Sequence, residues 1–291
     1  MSRYAPMERL ARPFQGLPSG VFWGGVICSV LAFAAIAVVV RGAGVPPGDG
    51  PVSLSILLAS YALPSLILMM WLGRKAGLEP HSVIGSLPQA RSDAAIAARR
   101  CLACLSAILV LTVLAVSLLG EVVTPPPEEA GTTRPFVSWL TLLPVAAVAV
   151  LLQSGSEEVL FRGFLQPVLR ARSDNPLVWL GGSAALFGLA HVPFVQSGQE
   201  AAYMFFYTFL LGLVLGDLTA RTGSIGAAVG LHWAWNVWQF VLFGEQDAPM
   251  SGYALFLHRP VQDAPFTVLT ALAIGLTVAI PWLAIRIGLR R

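Results

Sequence analysis

Three short clusters of polar residues interrupt otherwise apolar stretches of this chain: Glu157-Glu158-x3-Arg162, Phe187-x3-His191 and His232-x3-Asn236. A carboxylate beside an imidazole can orient and deprotonate a water molecule. A second imidazole and an amide N–H can donate to the oxyanion of a tetrahedral intermediate. The same donors offer another chemistry, because Glu157, His191 and His232 make a His2Glu set of the kind that binds zinc in peptidases. The His-Glu-x2-His helix usual for such enzymes is absent. Ser154 and Ser156 flank the glutamates but lack a nucleophile-elbow pattern.

Spacing divides the labour. Glu158 and Arg162 are four residues apart in the favourable acid-first order and can neutralise each other in a low dielectric. Glu157 is rotated about 100° away on a helix and cannot share that pairing equally. Glu158 is therefore expected to be structural, supporting the site with Arg162, and Glu157 to be free for chemistry. Phe187 with His191, and His232 with Asn236, each share a helix face.

The elements that hold these residues must cross a bilayer. Hydrophobic residues make up 56% of the 291 and charged residues 11%, against about a quarter charged in soluble domains. Mean hydropathy is +0.74. A spanning helix needs about 20 apolar residues, and eight candidates occur at 21–40, 52–72, 101–119, 137–160, 177–193, 201–218, 224–243 and 265–287. The expected fold is thus all-α, a polytopic membrane protein of about eight transmembrane helices in one bundle, with 1–291 forming a single integral membrane domain. The first apolar run is longer than a signal-peptide core and reads as a retained helix. Pro64 and Pro281 should kink the second and eighth spans. The stretches 42–51 and 123–135 read as extended loops, and 92–100 as an interfacial helix leading into the third span.

Buried charge is costly in such helices, roughly 2.5–3.5 kcal/mol for one charged residue at mid-membrane on insertion scales, so residues of this kind mark function by default. Helical periodicity runs from 137 to about 172, which would extend about 54 Å and project the end carrying Arg170 and Arg172 beyond a hydrocarbon core of about 30 Å. Ser173-Asp174-Asn175-Pro176 then reads as a turn. Glu157 and His191 lie equally far on either side of Asp174, so an antiparallel hairpin sets them at one depth. His232, entering from the loop at 221–223, reaches a similar depth about 12–15 Å along its helix. One site is expected.

Basic residues crowd alternate loops: Arg3, Arg9 and Arg12; Arg74, Lys75, Arg91, Arg99 and Arg100; Arg170 and Arg172; Arg221; Arg286, Arg290 and Arg291. The positive-inside rule places these loops, and both termini, in the cytoplasm. The net charge of +3 then reflects topology, not nucleic-acid binding. Cys28, Cys101 and Cys104 suggest no structural disulfide, and Cys101-x2-Cys104 lacks the second pair of a zinc site. Seventeen arginines against one lysine hint at a GC-rich bacterial genome.

In this order and spacing, the three clusters resemble the CAAX prenyl protease type II and bacteriocin-processing (CPBP, or abortive-infection) family. The matching positions are Glu157-Glu158-Val159-Leu160-Phe161-Arg162-Gly163, Phe187 to His191, and His232-Trp233-Ala234-Trp235-Asn236, across a catalytic core at 137–243. The resemblance implies an intramembrane endopeptidase in the plasma membrane, in which Glu157 and His191 activate water and His232 and Asn236 form the oxyanion site. The implied substrate is a membrane-associated peptide or protein, possibly lipidated. The implied cofactor is either none or a divalent metal such as zinc held by Glu157, His191 and His232. A non-catalytic immunity or scaffold protein of the same fold, and a secondary transporter, are the alternatives from other classes.

Overall fold

The computed structural model describes residues 4–42, 50–118, 131–192, 198–246, 250–258 and 266–290. After an N-terminal helix, α1 (Ala5–Ala11), the chain passes eight times between two ends. The first pass is α2 (Ser19–Gly42) and the second α3 (Pro51–Ser60) with α4 (Ala62–Ala76). The break at Tyr61 lies one turn before Pro64, where a proline ring displaces the preceding carbonyl. A short α5 (Pro80–Ile84) leads to the third pass, α6 (Leu87–Leu118), which absorbs the expected interfacial helix without interruption.

The fourth pass joins α7 (Phe136–Glu158), a wide π-helical turn (Val159–Leu165) and α8 (Gln166–Arg172). Together they make the expected overlong helix, 37 residues in all. A second π turn (Leu177–Gly181) and α9 (Gly182–His191) form the fifth pass, and α10 (Gly198–Thr222) the sixth. The seventh is α11 (Gly226–Val237) with a π turn over Trp238–Leu242, and the eighth is α12 (Val268–Leu289), where Pro281 sits inside one helix.

Among the described residues six helices are long and apolar enough to cross a membrane. The fifth and seventh passes fall short of that length; the seventh runs inside the bundle, while Leu177, Leu186 and Leu189 of the fifth are exposed on its outside. Nine of the twelve residues of α11 are buried, so its length is set by protein neighbours and not by lipid. The outside of the bundle is apolar, with Val38, Leu111, Leu118 and Val137 among its exposed side chains, while Glu158, Arg162, Gln166 and His232 are buried. This inverted distribution is that of an integral membrane protein, in which lipid replaces water as the outer solvent.

Contacts sort the loops into two ends. At the first, Tyr4 and Trp282 donate to Asp217, Arg170 meets Glu8, and the Ile225 amide donates to the carbonyl of Ile84. The N-terminus, the basic loops and the end of α12 therefore gather there. At the opposite end lies a three-stranded sheet that the helical periodicity did not reveal. It comprises β1 (Thr132–Thr133), β2 (Phe243–Glu245) and β3 (Phe256–His258), with β3 in the middle. Arg134 pins this end by donating to the carbonyls of Gly252 and Ala254. The expected loops at 42–51 and 123–135, and the end of the fifth span at Pro193, fall largely outside the described residues.

The most extensive helix contact among the described residues is that of α6 with α11. A Cβ at Gly226 or Gly230 would overlap the backbone of Ala90 or Ala94, so these glycines let the two backbones touch. That contact fixes the depth and rotation of His232, two residues beyond Gly230. Gly230→Val should cost about 1–3 kcal/mol through overpacking, read as a lowered midpoint of unfolding in detergent. A variant as stable as the parent would show that the helices are not held this closely.

Candidate active site

Glu157 and Glu158 end α7, and Arg162 lies in the π turn that follows. A π turn widens the helix, and such turns are frequent at functional sites. Pro167 lies four residues beyond Gly163 and, lacking an N–H, cannot complete an α-helical bond there. The wide turn keeps Arg162 facing inward. Its Nη1 donates to Glu158 Oε1 at 3.0 Å and its Nη2 to the carbonyl of Gly212 on α10 at 3.3 Å. Both side chains of the ion pair are fully buried. The guanidinium also lies over the Phe187 ring, 4.3 Å from its centroid.

Glu158 holds more than Arg162. Its Oε1 also accepts from His232 Nδ1 at 2.7 Å. A carboxylate accepts only, so Nδ1 carries a proton, and in the neutral form of the ring Nε2 presents a lone pair. That Nε2 lies 3.8 Å from Glu157 Oε2. Two acceptors thus face each other across a gap slightly too long for a direct hydrogen bond. One water molecule at hydrogen-bond distance from both closes a triangle over that separation. Glu157 Oε2, Glu158 Oε2 and Ser156 Oγ are buried with no hydrogen-bond partner among the described residues. Orphaned polar atoms are rare in protein interiors, and a cluster of them marks where water or substrate polar groups belong.

The structure brings the expected residues together but distributes them differently. The imidazole nitrogen 3.8 Å from Glu157 Oε2 is Nε2 of His232. His191 stands at the edge, half-buried, with Nδ1 donating to the carbonyl of Phe187 at 2.8 Å. It joins the site through the Phe187 ring, whose centroid lies 4.6 Å from that of His191 and 5.9 Å from that of His232. Asn236 is also placed otherwise than as a free donor. Its Nδ2 donates to Gln153 Oε1 at 2.8 Å and to Ser154 Oγ at 3.3 Å.

Gln153 is the site residue that motif reading missed. It receives Asn236 and Ser154 at Oε1 and donates from Nε2 to Glu157 Oε1 at 2.5 Å. Glu157 is thereby held by one oxygen, leaving the other toward His232. The available signal was a buried amide one helical turn before Glu157 on the same face.

Metal binding by Glu157, His191 and His232 finds no matching arrangement. Among the described residues no three His, Cys, Asp or Glu side chains are grouped to hold a metal ion. The Nδ1 atoms of both histidines are bonded to oxygen acceptors, which leaves each Nε2 as the ring atom open to a ligand. Cys28, Cys101 and Cys104 are free thiols, and Cys101 packs in the core between α6, α10, α11 and α12.

Glu158→Gln should therefore be the destabilising change of the glutamate pair. It strips a fully buried Arg162 of its counter-charge, a loss of roughly 3–5 kcal/mol. Glu157→Gln, whose Oε1 still accepts from Gln153, should melt near the parent. Melting of the two purified variants checks this, and the reverse order would mean that Glu157 carries the structural charge.

Comparison with known proteins covers the same segment of the chain. A family model described as type II CAAX prenyl endopeptidase Rce1-like matches residues 138–238, which contain all three polar clusters. An uncharacterized protein of Bacillus subtilis, YyaK, is 29% identical over 167 residues, 54% of each chain. The chain thus spans about half the length of that curated relative. No solved structure matches. The segment that builds the site, residues 138–238, is thus similar to the Rce1-like type II CAAX prenyl endopeptidases.

Proposed function

We propose that this protein is an intramembrane endopeptidase that hydrolyses a peptide bond with a water activated between Glu157 and His232. One observation carries the reading: a buried carboxylate oxygen without a protein partner faces an imidazole nitrogen whose tautomer a second carboxylate fixes. Water donates one hydrogen to Glu157 Oε2 and the other to His232 Nε2, which turns its lone pairs toward the substrate carbonyl. As the C–O bond forms, Glu157 takes the proton and later delivers it to the leaving amide nitrogen. Two carboxylates share the site with one guanidinium, so one negative charge remains to accept that proton.

The other polar residues take supporting roles in this reading. Glu158 and Arg162 hold His232 in place. Gln153 and Asn236 aim Glu157, so Asn236 acts as a positioning residue. His191, at the edge of the site beside Phe187, is the imidazole assigned to the oxyanion. No step is routed through a metal.

The substrate is a segment of a membrane-associated protein, possibly lipidated. The family's activity on CAAX prenyl proteins and the burial of the site within the bundle support this. The end bearing the basic loops is assigned to the cytoplasm by the positive-inside rule, with both termini there and the bacterial plasma membrane as the location. A reporter fused after Arg291 should read cytoplasmic, and an extracytoplasmic signal would invert the topology.

Cell membranes carrying the parent or the Glu157→Gln protein, compared by terminal-peptide proteomics, test the function. New peptide ends should appear with the parent alone. Equal sets of ends would remove Glu157 as the base and leave a non-catalytic scaffold as the better account. Gln153→Leu should lower the cleavage rate by about 10²-fold, the scale expected when a reacting group is misplaced by about 1 Å. An unchanged rate would separate Gln153 from the chemistry.

A further inference from the structure

A groove of about 560 Å³ runs along the outside of the bundle between the first, fourth and fifth passes. This volume is within the roughly 300–1,000 Å³ of ligand clefts. Ten of its twelve lining residues are apolar, among them Phe22, Val26, Leu160, Phe161 and Ala190. The two polar ones, Ser19 and Arg172, sit at the same end, beside the basic loops. They are neighbours in space, because Arg172 Nη2 donates to the carbonyl of Leu17 at 3.4 Å. The guanidinium also lies over the Phe22 ring, 4.7 Å from its centroid. Both contacts hold the head in place while its remaining N–H groups stay available to an anion.

The groove is therefore polar at the interface and apolar at depth. Leu160 and Arg172 are twelve residues apart, about 18 Å along a helix, close to the depth of one leaflet of a core of about 30 Å. We propose that the groove binds one anionic phospholipid of the bilayer, with its phosphate on Arg172 and Ser19 and one acyl chain lying against Val26, Leu160 and Phe161.

The direction of the polarity selects this occupant over the lipid anchor of a peptide substrate. A substrate must bring its polar peptide bond to Glu157, which is near the deep, apolar end of the groove. The groove instead holds its polar group at the surface. Its deep end is walled by Phe161, whose ring meets Phe187 edge-on at 5.1 Å, and by Ala190 next to His191. The lipid tail would close that side of the site.

Native mass spectrometry of the full chain, released from vesicles of equal palmitoyl-oleoyl phosphatidylglycerol and phosphatidylethanolamine, tests the proposal. The parent should retain one phosphatidylglycerol with about fivefold preference, the scale of one interfacial arginine. Arg172→Gln should retain both lipids equally. Val26→Phe, which fills the groove, should lose the bound lipid at an unchanged melting temperature. No preference in the parent, or a lipid retained by Val26→Phe as in the parent, would overturn the assignment. Displacement of phosphatidylglycerol by a farnesylated peptide would also overturn it and give the groove to substrate. The readout is binding, so a failure of the proposed peptidase activity leaves it standing, and the Glu157→Gln protein serves equally well.

Discussion

The site depends on a fully buried ion pair between Arg162 and Glu158. Two charges removed from water repay their desolvation only with good geometry and additional hydrogen bonds. Here the carbonyl of Gly212 and the ring of Phe187 support Arg162 and His232 supports Glu158 Oε1, while Arg162 Nε and Glu158 Oε2 keep no partner among the described residues. The pair draws on α7, the following π turn, α9, α10 and α11. It therefore ties five segments of the bundle to one charge centre. The orientation of His232 follows from it, and so does the role proposed for Glu157.

The glutamate neighbours show how a helix divides two identical residues. A rotation of about 100° sends Glu158 toward Arg162 and His232, while Glu157 reaches Gln153 with one oxygen and leaves the other unpartnered. The proposed mechanism uses both. A single carboxylate pinned by arginine would be too well satisfied to accept a proton. An unpinned one would lack a fixed imidazole beside it.

Much of this was legible in the sequence because membrane helices penalise polarity. The hydropathy spans, the overlong fourth helix and the turn at 173–176 follow from lengths and apolar runs, and the meeting of Glu157 with His232 follows from depth alone. The π turns were not legible, since periodicity cannot separate a local widening from an α-helix. The sheet built from Thr132–Thr133, Phe243–Glu245 and Phe256–His258 has strands of two or three residues, too short to show an alternating pattern. Gln153 was passed over because a lone amide carries no motif. The rotation that turns His232 toward both glutamates was beyond reach of spacing, which gives depth but not which ring turns toward which carboxylate.

The central claim is that Glu157 and His232 together hold the reacting water. A density map of the purified protein that resolves ordered solvent tests it most directly. The account predicts one water within about 2.6–3.2 Å of both Glu157 Oε2 and His232 Nε2, with His232 Nδ1 on Glu158. A Glu157 Oε2 satisfied by a protein donor, or a His232 ring turned away from Glu158, would contradict it.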